Sequence, residues 1–102
     1  MPSARKLVLP DEVASRVRRS HPELKRKIRA AIDHILQNPS SGKPLRDELA
    51  GLRSFRVGKV RIVYREASES IDIVTIGPRT AVYDETIRLT RRDRKKAGGT
   101  KD

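Results

Sequence analysis

Apolar residues at helical spacing predict two consecutive helices in the first third of the chain. Residues 11–20 begin with two acidic side chains, which favour the positive end of a helix, and then place their apolar positions on one face. The segment Ser20-His21-Pro22-Glu23 has the spacing of a capping box, in which the Ser20 hydroxyl accepts from the Glu23 amide. A longer helix is predicted from there to Asn38-Pro39, with an apolar stripe formed by Leu24, Ile28, Ala31, Ile32, Ile35 and Leu36.

The second half of the chain changes to the two-residue alternation of β-strands. Strands are predicted at Arg53–Val57 and Val60–Glu66, joined by a tight turn at Gly58-Lys59. A second turn at residues 67–70 leads into a third strand from Ile71 to about Ile76, and Gly77-Pro78 ends it. Because both sides of the last two strands contain apolar residues, we expect them to be central in the sheet.

The ends of the chain complete the predicted fold. Lys6–Leu9 is short, apolar and closed by proline, which is typical of a first or edge strand. Residues 81–89 suit a helix or a strand, and we expect a short C-terminal helix. The elements together predict an α+β fold over residues 1–90, a single domain in which a strand and a helical hairpin pack on a mostly antiparallel sheet of about four strands. Residues 91–102 are basic without an apolar period, which predicts a disordered tail.

The net charge of the chain indicates which kinds of molecule it is expected to bind. Its 102 residues include 24 Lys and Arg against 13 Asp and Glu, a formal net charge of +11. A field of this sign attracts polyanions, such as nucleic acid or the ribosome, or an acidic protein. Cysteine is absent, which excludes a disulfide framework and a thiol nucleophile. No apolar run approaches the roughly 20 residues of a membrane span, so we expect a cytoplasmic protein without a membrane partner.

Cationic residues recur in and just beyond the predicted sheet. Arg56, Lys59 and Arg61 fall on or between two neighbouring strands, and Arg79 follows the end of the third. Tyr83, four residues later, offers a ring for stacking on a base and a hydroxyl for proton transfer. Guanidinium groups bind phosphate through paired hydrogen bonds and stay charged at ordinary pH. One such arginine alone is typical of a solvated sheet, but the cluster with an aromatic residue favours an RNA-binding site.

Other chemistry is poorly supported by the sequence. His21 stands beside a proline and is expected in the helix cap, and His34 is expected on the surface of the longer helix. No carboxylate pair, phosphate-binding glycine loop or metal-ligand spacing stands out. We therefore expect neither a metal site nor a cofactor.

The order of these elements, together with three short motifs, resembles the RelE/ParE superfamily of bacterial toxins, and its RelE branch most. The motifs are Leu52-Arg-Ser-Phe-Arg56, Val60-Arg-Ile-Val-Tyr64 and Ile76-Gly-Pro-Arg-Thr-Ala-Val-Tyr83, and the resemblance covers about residues 4–90. It implies a small RelE-like fold and a toxin of a type II toxin–antitoxin system. RelE toxins act as endoribonucleases that enter the ribosomal A site and cut mRNA without a metal, by attack of the 2′-hydroxyl on the adjacent phosphate.

The resemblance also implies roles for individual residues. Arg61, Arg79 and Tyr83 are the expected catalytic residues: the two arginines stabilise the charge of the phosphate, and the tyrosine orients or deprotonates the nucleophile. The expected RNA-binding residues are Arg53, Arg56, Lys59 and Arg65. Gly58 departs from the family, because RelE has a second lysine there and Lys59 is the nearest substitute. Arg79 can match either of two family arginines, so the general base is the least defined role.

Two other functions suit the same sequence. One is a ParE-like protein that poisons DNA gyrase by binding it, without a nuclease site. The other is an RNA- or ribosome-binding module whose arginines only contact phosphates. The family also implies partners: a cognate antitoxin with an acidic or amphipathic segment that wraps the helical hairpin or covers the basic face, the ribosome with its mRNA, and operator DNA bound by the toxin–antitoxin complex.

Overall fold

A five-stranded sheet separates a helical hairpin on one face from a long C-terminal helix on the other. The computed structural model describes residues 5–99, with the side chains of residues 5–78 and 81–91. The elements in chain order are β1 (Lys6–Val8), α1 (Asp11–Arg18), α2 (Pro22–Gln37), β2 (Lys43–Pro44), β3 (Leu52–Val57), β4 (Val60–Glu66), β5 (Ser70–Pro78) and α3 (Arg79–Gly99). Two short 3₁₀ turns, Pro39–Ser41 and Asp47–Leu49, flank β2.

The strands lie in the order β1-β5-β4-β3-β2. β1 pairs in parallel with β5, and every other neighbouring pair is antiparallel. The register shifts between β4 and β5, because Val63 faces Thr75 whereas Tyr64 faces Ile73. This bulge keeps Thr75 on the α3 face of the sheet beside Val63, and places Ile73 on the hairpin face beside Tyr64.

Each face of the sheet has its own apolar cluster. The larger cluster joins the hairpin to the sheet and consists of Val13, Val17, Ile28, Ala31, Ile32, Ile35, Val57, Ile62, Tyr64, Ile71, Ile73 and Ile76. The smaller cluster lies under α3 and consists of Leu49, Leu52, Val63 and Val82. β4 supplies residues to both clusters, and β5 supplies three isoleucines to the larger cluster while its Val74 packs against the smaller one. This confirms that β4 and β5 are central strands buried on both sides.

The predicted α+β fold is confirmed, but the count of about four strands is one short. The additional strand, β2, has only two residues and contains Pro44, so no alternation could reveal it. The capping box was also misassigned. The His21 Nδ1 accepts from the Glu23 amide at 3.2 Å, as expected of a residue in the cap, whereas the Ser20 hydroxyl donates back to the Arg16 carbonyl.

The C-terminal helix is longer than the short helix expected from residues 81–89. α3 continues to Gly99 over most of the segment predicted as a disordered tail, and residues 100–102 lie outside the described part of the chain. Arginine, lysine and alanine are strong helix formers, and extending a helix that is already nucleated needs no apolar stripe. No helix among residues 5–99 has both the length and the apolar character to cross a membrane.

Candidate functional site

One buried hydroxyl joins two of the three residues expected to be catalytic. Ser54, in β3, is 2% exposed. Its Oγ accepts from Nη1 of Arg61 at 3.3 Å and from the hydroxyl of Tyr83 at 3.2 Å. β3, β4 and α3 each therefore contribute one residue to this group, which we call the Ser54 cluster. Ser54 was missed in the sequence, although it lies two positions before Arg56 and so faces the same side of the sheet.

Two arginines lie side by side on neighbouring strands next to Ser54, and we call Arg56 and Arg61 the cationic row. Arg56 and Arg61 are directly opposed across β3 and β4, and Gly77 is opposite Arg61 on β5. Like charges in opposed positions destabilise a sheet. Among the side chains that the structure describes, neither arginine forms a salt bridge. Within the described residues, the buried Nε of Arg61 also has no hydrogen-bond partner.

The tight turn between β3 and β4 accounts for Gly58, where a lysine would match the RelE pattern. Gly58 has a φ of +60°, a conformation that is strained for any residue with a Cβ. Its carbonyl accepts from Nε of Arg56 at 3.3 Å. Lys59 follows in the turn and is exposed. The shorter turn therefore disfavours a lysine at this position for reasons of backbone geometry, and places Lys59 in the exposed turn that joins the strands of Arg56 and Arg61.

Two of the predicted RNA-binding residues lie away from the cluster. Arg53 alternates onto the hairpin face, where its Nη1 donates to the carbonyl of Gly42 at 2.8 Å. Arg65 shares a face with Arg61 but lies further along β4, beside Leu89 in a cavity of about 240 Å³. Arg79 begins α3, one turn before Tyr83, and its side chain is outside the described part of the structure.

A second group of polar side chains connects α3 to α1 and β5, on the side of α3 opposite the Ser54 cluster. Arg16 of α1 donates through Nη1 to the Ile76 carbonyl at 2.6 Å and through Nη2 to Oε2 of Glu85 at 3.2 Å. Nη1 also lies 3.4 Å from both Oε1 of Glu85 and Oγ1 of Thr75, and the Thr75 hydroxyl donates to Oε1 at 3.1 Å. We call Arg16, Thr75 and Glu85 the clamp. The hydrogen bond from Arg16 and, less strongly, that from Thr75 lower the pKa of Glu85 in spite of its partial burial.

Arg16 was missed as a structural residue in the sequence, because it stands among the arginines of α1, a residue type that is usually solvated. Its side chain instead reaches β5 and α3 and is 35% exposed. A charged side chain can turn inward here because a carboxylate, a hydroxyl and a carbonyl together satisfy its donors. Among residues 5–99 no group of three or more His, Asp or Glu is placed to hold a metal ion.

Fold and sequence together define the class of this protein. A family model of the ParE toxin of type II toxin–antitoxin systems (parDE) matches residues 10–83. The chain belongs to this toxin family, within the RelE/ParE superfamily. The toxin RelE of Mycobacterium tuberculosis (strain ATCC 25618 / H37Rv) is 42% identical over 52 residues, which make up 48% of this chain and 54% of that protein. The chain thus matches about half the length of this curated relative.

Solved structures agree with this assignment. The toxin–antitoxin complex RelBE2 of Mycobacterium tuberculosis contains a chain that matches with a TM-score of 0.66 and 25% identity, over 76% of this chain and 100% of that one. A mutant of Escherichia coli toxin RelE in the free state matches with a TM-score of 0.70 over 88% and 98% of the two chains. At 14% identity, the second likeness concerns the fold alone. These matches confirm the predicted RelE-like fold.

Proposed function

We propose that this toxin is a ribosome-dependent endoribonuclease that cuts mRNA in the cytoplasm. The observation that carries the proposal is the Ser54 cluster, in which one hydroxyl holds both Arg61 and Tyr83. A guanidinium and a phenol fixed at neighbouring points are suited to a phosphate and to the hydroxyl that attacks it. The resemblance to RelE supplies the reaction class, and the cluster supplies residues in the required roles.

The proposed reaction is an internal transesterification. The 2′-oxygen of the mRNA forms a bond to the adjacent phosphorus while the bond to the 5′-oxygen of the next nucleotide breaks. The products are a 2′,3′-cyclic phosphate and a 5′-hydroxyl. Solvent water takes the proton from the 2′-oxygen and returns a proton to the departing 5′-oxygen, so the reaction consumes no net proton. The Tyr83 hydroxyl donates a hydrogen bond to Ser54, so its oxygen is left to accept a hydrogen bond from the 2′-hydroxyl and to orient it. Arg61 stabilises the negative charge that develops on the phosphate oxygens.

The remaining cations fit the binding of the RNA backbone. Arg56 is directly opposed to Arg61, and an anion between them would relieve their mutual repulsion. Lys59 adds an exposed cation in the turn between their strands. Arg79 joins the proposal through the resemblance and through its place one turn before Tyr83, as a second group that stabilises the phosphate. Arg53 and Arg65, which lie apart from the row, are assigned weaker contacts with RNA.

We further propose a cognate antitoxin as the partner of the free toxin. Solved relatives include complexes such as the archaeal RelE–RelB complex from Pyrococcus horikoshii OT3. A groove of about 420 Å³ lies between β1, α1 and α2 of this chain. Leu7, Val17 and Ile32 contribute to its apolar floor, while Arg18 and Arg29 also line it. An amphipathic segment with acidic residues would satisfy both surfaces, and the complex would then be the form that binds operator DNA.

Inhibition of DNA gyrase is the second candidate, because the family model that matches residues 10–83 is that of ParE toxins. A gyrase inhibitor needs no reacting group in the Ser54 cluster. Purified protein in a supercoiling assay tests this candidate directly. Loss of supercoiling that persists in Tyr83→Phe, with no new mRNA ends, would favour it over cleavage.

Primer extension on mRNA in a translating extract is the decisive experiment for cleavage. The wild-type protein should create new 5′ ends only when ribosomes are present. Arg61→Ala should slow cleavage by about a hundredfold, comparable to the loss of one charge-stabilising donor, and Tyr83→Phe should slow it by about tenfold or more. Arg26→Gln is the matched control, since Arg26 is exposed on α2, on the other face of the sheet. Binding to ribosomes without new ends would show a binding module instead.

A further inference from the structure

Helix α3 contacts the sheet through a buried centre and two polar flanks. Val82 and Thr86 are fully buried against the sheet and are one turn apart. On a helical wheel with about 100° per residue, the direction midway between Val82 and Thr86 points to the sheet. Tyr83 and Glu85 lie about 80° to either side of that direction. Tyr83 reaches Ser54 on β3, whereas Glu85 reaches Thr75 on β5. The helix is therefore held at two opposite sides of its contact with the sheet.

The two flanks differ in strength. On the β3 side, Tyr83 makes one hydrogen bond between neutral hydroxyl groups. On the β5 side, Glu85 accepts from both terminal nitrogens of Arg16 and from the Thr75 hydroxyl, and Arg16 is fixed in turn by the Ile76 carbonyl. Hydrogen bonds between charged groups are roughly twice as strong as neutral ones. The rotation of α3 about its axis is thus set mainly from the side away from Tyr83.

We propose that the clamp formed by Arg16, Thr75 and Glu85 positions the Tyr83 hydroxyl for the reaction, an inference that rests on the proposed endoribonuclease function. Side chains reach about 5–6 Å from a helix axis, so a rotation of about 20° would move the hydroxyl by about 2 Å. A displacement of about 1 Å can slow a reaction by about a hundredfold. Glu85 faces away from the Ser54 cluster, so it acts through α3 as a positioning residue.

The position of Tyr83 can be measured without any assay of activity. The chain has two tyrosines, so biosynthetic incorporation of 3-fluorotyrosine gives two ¹⁹F signals, and Tyr83→Phe assigns them. We expect Glu85→Gln to shift the Tyr83 signal. Asp84→Asn is the matched control, because the neighbouring carboxylate is exposed, and it should leave that signal in place. An unshifted Tyr83 signal in folded Glu85→Gln would overturn the proposal.

Cleavage on the ribosome provides the second readout. Glu85→Gln should lower the single-turnover rate constant by about tenfold or more, and leave the toxin concentration at half-maximal rate within about twofold, because the cations that bind RNA are unchanged. Asp84→Asn should match the wild type in both. A Glu85→Gln variant that cleaves at the wild-type rate would contradict the clamp's role.

A second variant covers the case in which Glu85→Gln does not fold. Thr75→Val keeps the shape of the buried side chain and the ion pair, and removes one hydrogen bond to Glu85. Thr75→Val should shift the Tyr83 signal and slow cleavage, both by less than Glu85→Gln does. If the signal and the cleavage rate both stay at their wild-type values, the result contradicts the role of the clamp. If the wild type cleaves nothing while the Tyr83 signal moves only in clamp variants, the proposed function fails and the positioning of Tyr83 by the clamp is supported.

Discussion

The backbone amide of Gly42 donates to the hydroxyl of Tyr64 at 2.9 Å, and no larger residue fits at this glycine. A Cβ on Gly42 would lie 2.6 Å from that oxygen and 2.8 Å from the ring atom Cε1. The same hydroxyl donates to the Pro39 carbonyl at 2.7 Å. Tyr64 is completely buried in the centre of β4, so this contact ties the loop between α2 and β3 to the core of the sheet.

Gly42→Ala should destabilise the protein by about 1–3 kcal/mol, the usual cost of overfilling a packed site. The backbone at Gly42, with φ −78° and ψ 154°, is open to any residue, so the loss would come from the collision with the tyrosine ring. Denaturant unfolding measures it. Gly77→Ala is the control, since a Cβ there meets no atom closer than 3.8 Å; equal losses in both variants would exclude this explanation.

Tyr64→Phe should cost about 1–3 kcal/mol in the free energy of unfolding. The ring still fills its place, but the buried amide of Gly42 loses its hydrogen-bond acceptor. Chemical denaturation measures the loss, and hydrogen exchange should show faster exchange at the Gly42 amide. If that amide exchanges as slowly as in the wild type, the hydroxyl is not what protects it.

Ser54→Ala should slow mRNA cleavage by about tenfold while the protein stays folded. Arg61 and Tyr83 would lose the acceptor that fixes both, and positioned groups lose rate when they become mobile. Single-turnover cleavage is the measurement. Ser54→Thr keeps a hydroxyl and should retain more activity than alanine. Ser68→Ala, in the exposed turn before β5, should cleave at the wild-type rate. Equal losses of cleavage rate in both alanine variants would show that the Ser54 cluster has no specific role in cleavage.

Stability should depend on pH through Glu85. Because the pKa of this carboxyl is lower in the folded chain than in the unfolded one, its contribution is fully present above the ordinary value of 4.5 and is lost as the pH falls through the lowered pKa. Arg16, Thr75 and Arg88 all favour the ionised form. With side chains 24% and 35% exposed, Glu85 and Arg16 should contribute only about 1 kcal/mol.

The comparison of wild type with Glu85→Gln isolates this contribution. Their free energies of unfolding should differ most above pH 4.5 and converge as the pH falls through the lowered pKa of Glu85. Glu12, Arg65 and Asp72 line the same cavity as Glu85, and they are present in both proteins, so the comparison is specific to Glu85. A difference that is constant across this range would show that the glutamine acts by packing alone.

Local patterns in the sequence were sufficient for the helices and the central strands. The helical stripe of α2 and the alternation in β4 each arise from burial on one or both faces, which a single segment records. The two-residue strand β2 and the pairing of β1 with β5 depend on distant partners, so no local period reports them. The length of α3 was underestimated because a charged helix extends by propensity, without an apolar face.

The residues of the candidate site could be predicted only in part, because some of them meet only through contacts between distant segments. Arg56, Arg61 and Tyr83 stand out as residue types suited to RNA, and the predicted turn at Gly58-Lys59 puts the two arginines on neighbouring strands. Ser54 has ordinary chemistry, and only the contact with α3 gives it a role. Arg16 and Glu85 are far apart in sequence and resemble surface charges, so their meeting required the packing of α1 and α3.

The parallel pairing of β1 with β5 has a consequence for the order in which the protein folds during synthesis. β1 is synthesised before the other four strands, yet its partner in the described part of the sheet is β5, the last of these strands in sequence. Contacts between distant segments are slow to form and wait for both partners. The helical hairpin can form early, but the edge of the sheet formed by β1 is completed only after β5 has been made. The Ser54 cluster should likewise form only after α3 has been made, because Tyr83 of α3 supplies one of its three residues.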